Sequence, residues 1–394
     1  MKYALLKILV LYFCIIHPII SAPNPGITVP LQYQALYGIY TQNIQVGNNP
    51  SQELEAIVDT GSSALVLLGE QPYCLTCKRA ITKGAITPNQ LKGACKGKSM
   101  VFPYGSAHDV VNECVSSIQY TGDKSNQVTM KTFILKKSNQ PSTIIGMFNH
   151  NLRKHLVQFE PFLTRITEKY TKYSDLTFVL CGNKGNSYYH VGPFVLPKPI
   201  LSSKLLSGEF YTIATSGFYD ANLKPIAIPH NPSPKAILDT GTGGFIILTP
   251  ALYQPLQNYI YQNAGTKNQS LGQQFWKDNY CILQQEVDLS SFPTINIGFQ
   301  GLSDHTPYYL KLSPTSYINQ GGCAKGFVRL TINQGVPPNH PAAIRNNEAR
   351  KEAKAHPDMV IGTPLLDQYA IQIHLTKDPS VSFAPNQSLC QLKQ

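Results

Sequence analysis

The chain has 394 residues, a formal net charge of +11 and only 14% charged residues. At roughly 150 residues per domain, this length predicts about two domains, each large enough for its own core. The Lys and Arg residues are scattered, and their densest stretch, residues 345–354, also contains Glu348 and Glu352. The positive charge therefore indicates a solvated surface and argues against nucleic acid as a partner.

The N-terminal segment, residues 1–22, has the pattern of a secretory signal. Lys2 precedes an uncharged apolar run over residues 8–16, Pro18 ends the run, and Ala22 is the small residue that a signal peptidase accepts. The run is too short to span a bilayer, so a cleaved signal is favoured over a membrane anchor. No later segment of the sequence is long and apolar enough to cross a membrane. We expect an exported protein, secreted or periplasmic in a bacterial host, without a stable membrane anchor.

The remaining chain is rich in Tyr, Thr, Ile, Val, Pro and Gly, which favours short strands separated by turns and hence an all-β fold. An even number of cysteines in an exported chain predicts disulfides. These cysteines are Cys74, Cys77, Cys95, Cys114, Cys181, Cys281, Cys323 and Cys390. Cys74 and Cys77 form a single C-x-x-C, without the second pair of a zinc ribbon or the context of a redox site. Structural bridges are favoured, with the pairing of the first four cysteines left open.

An internal repeat divides the chain. Residues 54–62 read Leu-Glu-Ala-Ile-Val-Asp-Thr-Gly-Ser, and residues 235–242 read Lys-Ala-Ile-Leu-Asp-Thr-Gly-Thr. A second apolar segment and then two aliphatics with a glycine follow each copy, ending at Gly146 and Gly362. The repeat predicts two β lobes related by a pseudo-twofold axis, residues 23–203 and 204–394. The Pro-, Ser- and Lys-containing stretch 197–207 marks the boundary.

The duplicated motif places one aspartate, Asp59 or Asp239, at the end of each buried strand. Two carboxyls brought together cannot both ionise, so they share one proton. The ionised carboxylate then acts as general base on a water, and the protonated carboxyl acts as general acid, with no metal or cofactor. The flanking residues support this pair: Gly61 and Gly241 donate N–H groups, Thr60 and Thr240 connect the loops, and Ser62 and Thr242 donate hydroxyls that lower the pKa.

Further segments extend the pattern over nearly the whole mature chain. They are Tyr-Gly-Ile-Tyr at 37–40, Ile-Gln-Tyr-Thr-Gly at 118–122, Val-Ile-Gly-Thr-Pro-Leu-Leu at 360–366 and Phe-Ala-Pro at 383–385. Together with Asp-Thr-Gly-Ser-Ser at 59–63 and Asp-Thr-Gly-Thr at 239–242, they resemble the pepsin-like aspartic peptidase family. The resemblance implies an all-β, bilobal pepsin-like acid protease fold, with pseudo-twofold-related lobes around a central substrate cleft.

The same resemblance implies the activity and its residues. We expect a monomeric aspartic endopeptidase with an acid pH optimum that cuts extended polypeptides, using Asp59 and Asp239 as catalytic residues. Gly61, Gly241 and Thr242 would contact the substrate, and Tyr120 would be the tyrosine of the hairpin that closes over it. The resemblance also implies the disulfides Cys281–Cys323 and Cys181–Cys390.

Some features depart from the family. Val66 stands where a Trp that bonds the hairpin tyrosine is usual, and Gly243 stands where Ser is usual. Residues 74–114 form a longer insert, expected to cover one end of the cleft, and residues 337–357 form another, with a short exposed helix. Residues 23–34 are too few for a typical inhibitory prosegment, so we expect an enzyme made without a zymogen step.

Other interpretations agree less well with the sequence. A pepsin-fold protein that binds without cutting commonly lacks a catalytic Asp or its Gly, whereas both Asp-Thr-Gly units are whole in this chain. H-E-x-x-H, G-x-S-x-G and P-loop motifs are absent from the sequence. Trp276, beside Phe275, is interpreted as core packing. Asn268 and Asn386 begin glycosylation sequons that matter only in a host that glycosylates exported proteins.

Overall fold

The structure is a computed structural model, and most of the chain is described. The described residues are 26–47, 51–73, 80–87, 91, 95–104, 107–120, 126–138, 141–148, 161–170, 175–182, 185–206, 210–230, 234–278, 280–302, 306–335 and 357–391. The signal segment, Cys74, Cys77 and almost all of the 337–357 insert lie outside these ranges. Strands account for 47% of the structure and helices for 17%, so the fold is mostly β, in agreement with the all-β expectation.

The first half of the chain is built from strands with one helix. Its strands are β1 (Ile27–Gln34), β2 (Ile39–Val46), β3 (Gln52–Asp59), β4 (Leu65–Tyr73), β5 (Cys95–Tyr104), β6 (Ala107–Gln119), β7 (Gln127–Lys137), β8 (Ile144–Gly146), β9 (Asp175–Val179) and β10 (Ser187–Val191). The helix is α1 (Phe162–Tyr170).

The second half has shorter strands and more helices. Its strands are β11 (Leu201–Lys204), β12 (Thr212–Tyr219), β13 (Pro225–Ala227), β14 (Lys235–Leu238), β15 (Ile246–Leu248), β16 (Ile282–Leu283), β17 (Ile295–Gln300), β18 (Pro307–Leu312), β19 (Ile318–Asn319), β20 (Phe327–Leu330), β21 (Ile332–Gln334), β22 (Met359–Ile361), β23 (Tyr369–His374) and β24 (Ser380–Pro385). Its helices are α2 (Pro250–Ala264), α3 (Gln273–Asp278), α4 (Pro314–Tyr317), α5 (Thr363–Leu366) and α6 (Gln387–Gln391).

Two large sheets contain most of these strands. One has thirteen strands, in the order β11-β24-β23-β9-β10-β1-β2-β3-β8-β4-β7-β6-β5, and the other runs β18-β17-β12-β14-β22-β15-β21 with β13 beside β12. A small third sheet has the order β16-β20-β19. The central strand β3 is buried over its last six residues, as its apolar sequence requires.

The sequence repeat corresponds to a repeated strand arrangement. In the first copy β3 is parallel to β8, β8 is antiparallel to β4, and β4 is parallel to β7. In the second copy β14 is parallel to β22, β22 is antiparallel to β15, and β15 is parallel to β21. The two Asp-Thr-Gly segments therefore follow topologically equivalent strands.

Strands from both ends of the chain meet in the thirteen-stranded sheet. β9 pairs with β10 on one side and with β23 on the other, and β24 connects β23 to β11. The disulfide Cys181–Cys390 joins the segment after β9 to α6. This junction contains the bridge that the resemblance placed there.

Two further disulfides lie within the halves. Cys281–Cys323 is present as expected, and Cys95 pairs with Cys114 across the β5–β6 ladder. Trp276 is buried and stacks on Phe292, so it is a packing residue as interpreted. Within the described ranges, no helix has the length and apolar character needed to cross a membrane.

Neither sequon asparagine is accessible. Asn268 is 2% exposed and its amide donates to Ser291 Oγ at 2.6 Å, while Asn386 is 5% exposed and its amide donates to the Asp367 carbonyl at 2.9 Å. A glycosylated Asn has to present its amide nitrogen to solvent. In the folded protein, Asn268 and Asn386 therefore serve as buried hydrogen-bonding residues and do not present glycosylation sites.

Candidate active site

The duplicated loops bring Asp59 and Asp239 together. Asp59 is the last residue of β3, and Asp239 directly follows β14. A Cβ atom built on Gly61 would lie 2.6 Å from Oδ1 of Asp239, and one built on Gly241 would lie 2.5 Å from Oδ1 of Asp59. The backbone of each loop thus runs directly against the carboxyl of the other, and only glycine leaves room for this approach.

Each glycine also binds the carboxyl of its own loop. The Gly61 N–H donates to Oδ1 of Asp59 at 2.7 Å, and the Gly241 N–H donates to Oδ1 of Asp239 at 2.8 Å. The two bonds are equivalent under the repeat. Backbone donors aimed at a carboxylate fix its orientation and favour its ionised form.

The threonines join the loops by four reciprocal hydrogen bonds. The Thr60 N–H donates to Thr240 Oγ1 at 3.0 Å, and the Thr240 N–H donates to Thr60 Oγ1 at 2.9 Å. The Thr60 hydroxyl donates to the Leu238 carbonyl at 2.9 Å, and the Thr240 hydroxyl donates to the Val58 carbonyl at 2.7 Å. Both threonines are buried, so neither loop can shift without breaking bonds to the other.

Burial and the neighbouring acid change the pKa of Asp59. Asp59 is 8% exposed, and burial raises the pKa of its carboxyl well above the usual range. The charge of Asp239 and a hydrogen bond between the two carboxyls raise this pKa further, while the nearby Ser62 hydroxyl and the Gly61 N–H lower it. Asp59 therefore keeps its proton to a higher pH than an ordinary carboxyl does.

The hydroxyls beside the carboxyls also differ. Thr242 Oγ1 donates to Oδ2 of Asp239 at 2.7 Å, as the motif predicts. The Ser62 hydroxyl is close enough to lower the pKa of Asp59 but makes no hydrogen bond of normal geometry in this conformation. The Asp239 carboxyl thus accepts a hydroxyl hydrogen bond from the residue three positions later, and the Asp59 carboxyl has no equivalent bond of normal geometry among the described residues.

A second layer of backbone contacts holds the loops. The Met147 N–H donates to the Asp59 carbonyl at 2.7 Å, and the Asp239 N–H donates to the Ile361 carbonyl at 2.9 Å. Gly146 and Gly362 sit so close to the loop backbones that neither position has room for a Cβ atom. The later glycines of the repeat are thus required for packing beneath the loops.

Sequence reasoning did not identify two residues that connect the halves at this point. The hydroxyl of Thr363 donates to the Gly38 carbonyl at 2.7 Å and accepts the Gly244 N–H at 2.9 Å, so it ties the β1–β2 turn to the second loop. The buried Tyr211 hydroxyl donates to the Met147 carbonyl at 2.8 Å. Both contacts join residues far apart in the sequence. Thr363 belongs to the 360–366 segment noted above, but nothing in that segment indicates which residue its hydroxyl bonds.

The assignment of Tyr120 to a substrate-covering hairpin does not agree with the structure. Tyr120 is 0% exposed, and its ring packs edge-on against Phe162 of α1. It follows Gln119, which pairs with Gln45 of β2, and Gln45 in turn pairs with Glu53 of β3. Glu53 and Asp59 are six positions apart on this extended strand, so roughly 20 Å separates them. Tyr120 is a core residue in the described conformation, and the substrate-binding role is withdrawn.

A partly buried acid outside the motif, Asp367, lies near the junction of the halves. The Tyr40 hydroxyl donates to Oδ1 of Asp367 and accepts the Gly182 N–H, the latter at 2.8 Å. Burial raises the pKa of Asp367 to about 7, and the Tyr40 hydrogen bond opposes that rise. Asp367 is therefore largely protonated at acid pH.

A serine, a histidine and an aspartate also meet on the sheet at the junction. His374 Nδ1 lies 3.3 Å from Oδ1 of Asp175, and its Nε2 lies 3.2 Å from the Ser382 hydroxyl. Ser382 is buried and its hydroxyl also contacts Ser202 at 2.8 Å. A nucleophile has to be reachable by its substrate. These side chains are best described as cross-strand polar partners.

No metal site is found in the part of the chain that the structure describes, where no three His, Cys, Asp or Glu side chains converge. No model of a known protein family matches the chain, and no curated protein matches it. The geometry of Asp59 and Asp239 and the residues around them is therefore the basis for a functional proposal.

Proposed function

We propose that the protein is an aspartic endopeptidase that hydrolyses peptide bonds with a water held between Asp59 and Asp239. The observation that carries the proposal is the duplicated loop pair. Each loop presses a glycine against the carboxyl of the other, and reciprocal threonine bonds fix the two loops together. Two acids held this closely, one buried and the other partly buried, are costly for stability alone, which favours a catalytic role.

In the proposed mechanism the two carboxyls have different roles. Asp59, whose pKa is raised, holds the shared proton, and Asp239, which accepts bonds from Gly241 and Thr242, is the ionised partner. Asp239 accepts a proton from the water as it attacks the scissile carbonyl carbon, and Asp59 donates its proton to the carbonyl oxygen. The dyad titrates as a unit, so activity depends on the singly protonated pair and follows a bell-shaped pH profile.

The proposal includes the architecture that such chemistry needs. We propose a bilobal pepsin-like fold with lobes at residues 23–203 and 204–394, a cleft between them and an extended polypeptide as substrate. The repeated four-strand arrangement supports two equivalent lobes. Three disulfides among the described residues support export to an oxidising compartment.

The hairpin that covers the substrate is assigned differently from the sequence expectation. We propose β5–β6, whose strands close at the pair Tyr104 and Ala107, because Tyr120 is buried far from Asp59. In the sequence Tyr104 is followed by Gly105, a residue type that favours turns. Replacing Tyr104 by Ala should raise KM at least severalfold, whereas Tyr120→Phe, which keeps the core aromatic, should leave KM unchanged.

The direct test is cleavage of denatured globin from strongly acid to neutral pH, with and without pepstatin. We expect pepstatin-sensitive cleavage at acid pH that Asp59→Asn and Asp239→Asn each abolish, with circular dichroism and melting temperature showing an intact fold. Asp378→Asn, in the exposed turn between β23 and β24, is the matched control and should retain full activity. An absence of pepstatin-sensitive cleavage over the whole range would instead favour a binding protein of the same fold.

A further inference from the structure

We propose that Arg329 is a specificity-determining residue that binds an acidic side chain of the substrate beside the second catalytic loop. This inference rests on the proposed function and names the substrate class of that site. Arg329 lies in β20 and packs its guanidinium over the ring of Phe245, with Cζ 4.5 Å from the ring centroid. Phe245 ends the loop that begins at Asp239.

The guanidinium has no anionic partner in the described structure. Its side chain is partly buried, and desolvation lowers the pKa of Arg329. Its Nε is buried without a hydrogen-bond partner, and no hydrogen bond or ion pair ties the group to a described residue. A partly desolvated cation without a counter-charge is unfavourable, and a carboxylate forms two parallel hydrogen bonds with a guanidinium. The group is therefore well suited to bind a carboxylate from outside the chain.

The position of Arg329 relative to the aspartates follows from the loops around it. A Cβ atom built on Gly322 would lie 3.3 Å from Nη2 of Arg329, and one built on Gly321 would lie 3.2 Å from the Gly244 carbonyl. The Gly322 N–H donates to the Leu36 carbonyl at 2.6 Å. The guanidinium thus lies beside the backbone of residues 321–322, which contacts the second loop at Gly244 and the β1–β2 turn at Leu36.

The distance to the catalytic pair is within the length of a bound peptide. Gly241 lies against the carboxyl of Asp59, and Phe245 follows it four positions later in the chain, so the Cα atoms of Gly241 and Phe245 are at most about 14 Å apart. An extended substrate covers roughly 13 Å with four residues on one side of the cut. A glutamate or aspartate within a few positions of the cut can therefore reach Arg329.

The test uses matched peptide substrates that differ at one position. A fluorogenic parent peptide with apolar residues at the cut carries Gln at each of four positions on either side, and Glu replaces one Gln at a time. We expect wild-type kcat/KM to be about 10-fold higher for Glu than for Gln at one of these positions, as the pairing of a partly buried charge supplies. Arg329→Gln should remove this preference and leave kcat/KM for the all-Gln peptide within about threefold.

Two further variants make the result specific to the guanidinium. Lys325→Gln removes an exposed positive charge from the turn that precedes β20 and should leave the preference unchanged. Arg329→Glu should prefer Lys over Gln at the position where the wild type prefers Glu. This reversal is measurable even if Arg329→Gln folds poorly, and melting temperatures check both variants.

The outcomes separate this inference from the proposed function. Pepstatin-sensitive cleavage with equal kcat/KM for Glu and Gln at every position overturns the role of Arg329 and leaves the peptidase proposal standing. A Glu preference that persists in both Arg329 variants does the same. Failure of the wild type to cut any peptide in the set, together with globin, overturns both.

Discussion

The pKa of the partly buried acid Asp367 leads to a quantitative prediction about stability. Its pKa is about 7 in the folded protein and 3.8 in an ordinary environment. Because folding raises this pKa, the folded state favours the protonated form. The stabilisation is complete below the unfolded pKa and is lost as pH rises through the folded value.

The magnitude follows from the size of the shift. A difference of about three pKa units, at about 1.4 kcal/mol each, corresponds to roughly 4 kcal/mol between pH 4 and 7. The residue keeps some surface in contact with solvent, so we expect about 2–4 kcal/mol in practice. Asp367→Asn removes the titration while Asn Oδ1 still accepts the Tyr40 hydrogen bond.

The assay is urea denaturation of wild type and Asp367→Asn at half-unit steps from pH 3.5 to 7.5. The free energy of unfolding of the variant minus that of the wild type should rise by about 2–4 kcal/mol between pH 4 and 7. Using this difference cancels the contributions of all other groups, including Asp59. Asp378→Asn, an exposed carboxyl in a turn, is the control. A difference that stays flat with pH, or that falls, would refute the reasoning.

Three predictions concern the two Asp-Thr-Gly loops. Gly241→Ala adds a Cβ atom only 2.5 Å from Oδ1 of Asp59. Turnover should therefore be lost, and calorimetry should show destabilisation of about 1–3 kcal/mol. Thr60→Val and Thr240→Val should each cost roughly 2–4 kcal/mol in urea. Each removes a different two of the four bonds, and the double variant should lose less than the sum because loss of the first two already loosens the loops that the other two join; strict additivity would contradict this coupling. Thr242→Val removes the 2.7 Å bond to Asp239, so the acid limb of the kcat/KM profile should move to higher pH; an unchanged profile would show that this bond does not support the ionised form.

The close approach of the two aspartates was predictable because its determinants are local and duplicated. An apolar strand ending in Asp-Thr-Gly, with a glycine segment further along, occurs twice in the sequence. The structure places those segments on equivalent strands and packs each glycine where a side chain has no room. Repetition carried the information, since a single Asp-Thr-Gly more often marks a surface turn.

Other features depend on long-range register that a single sequence does not contain. A tyrosine followed by a nearby glycine occurs at Tyr104 and again at Tyr120, and only the pairing of Gln119 with Gln45 shows that Tyr120 lies at the far end of β3. The contact between Tyr40 and Asp367 joins residues 327 positions apart. Polar pairs of this kind have no periodicity or spacing that sequence reasoning can use.

The junction sheet has a consequence for how the molecule responds to a broken backbone. Strands from the start and end of the chain are neighbours there, and Cys181–Cys390 bonds the two halves covalently. A nick at any peptide bond between Cys181 and β23 leaves two fragments that are still bonded to each other and still share a sheet. Separating the fragments requires reduction of Cys181–Cys390 and also loss of the backbone hydrogen bonds between β9 and β23. Two co-expressed fragments are therefore expected to assemble as one particle.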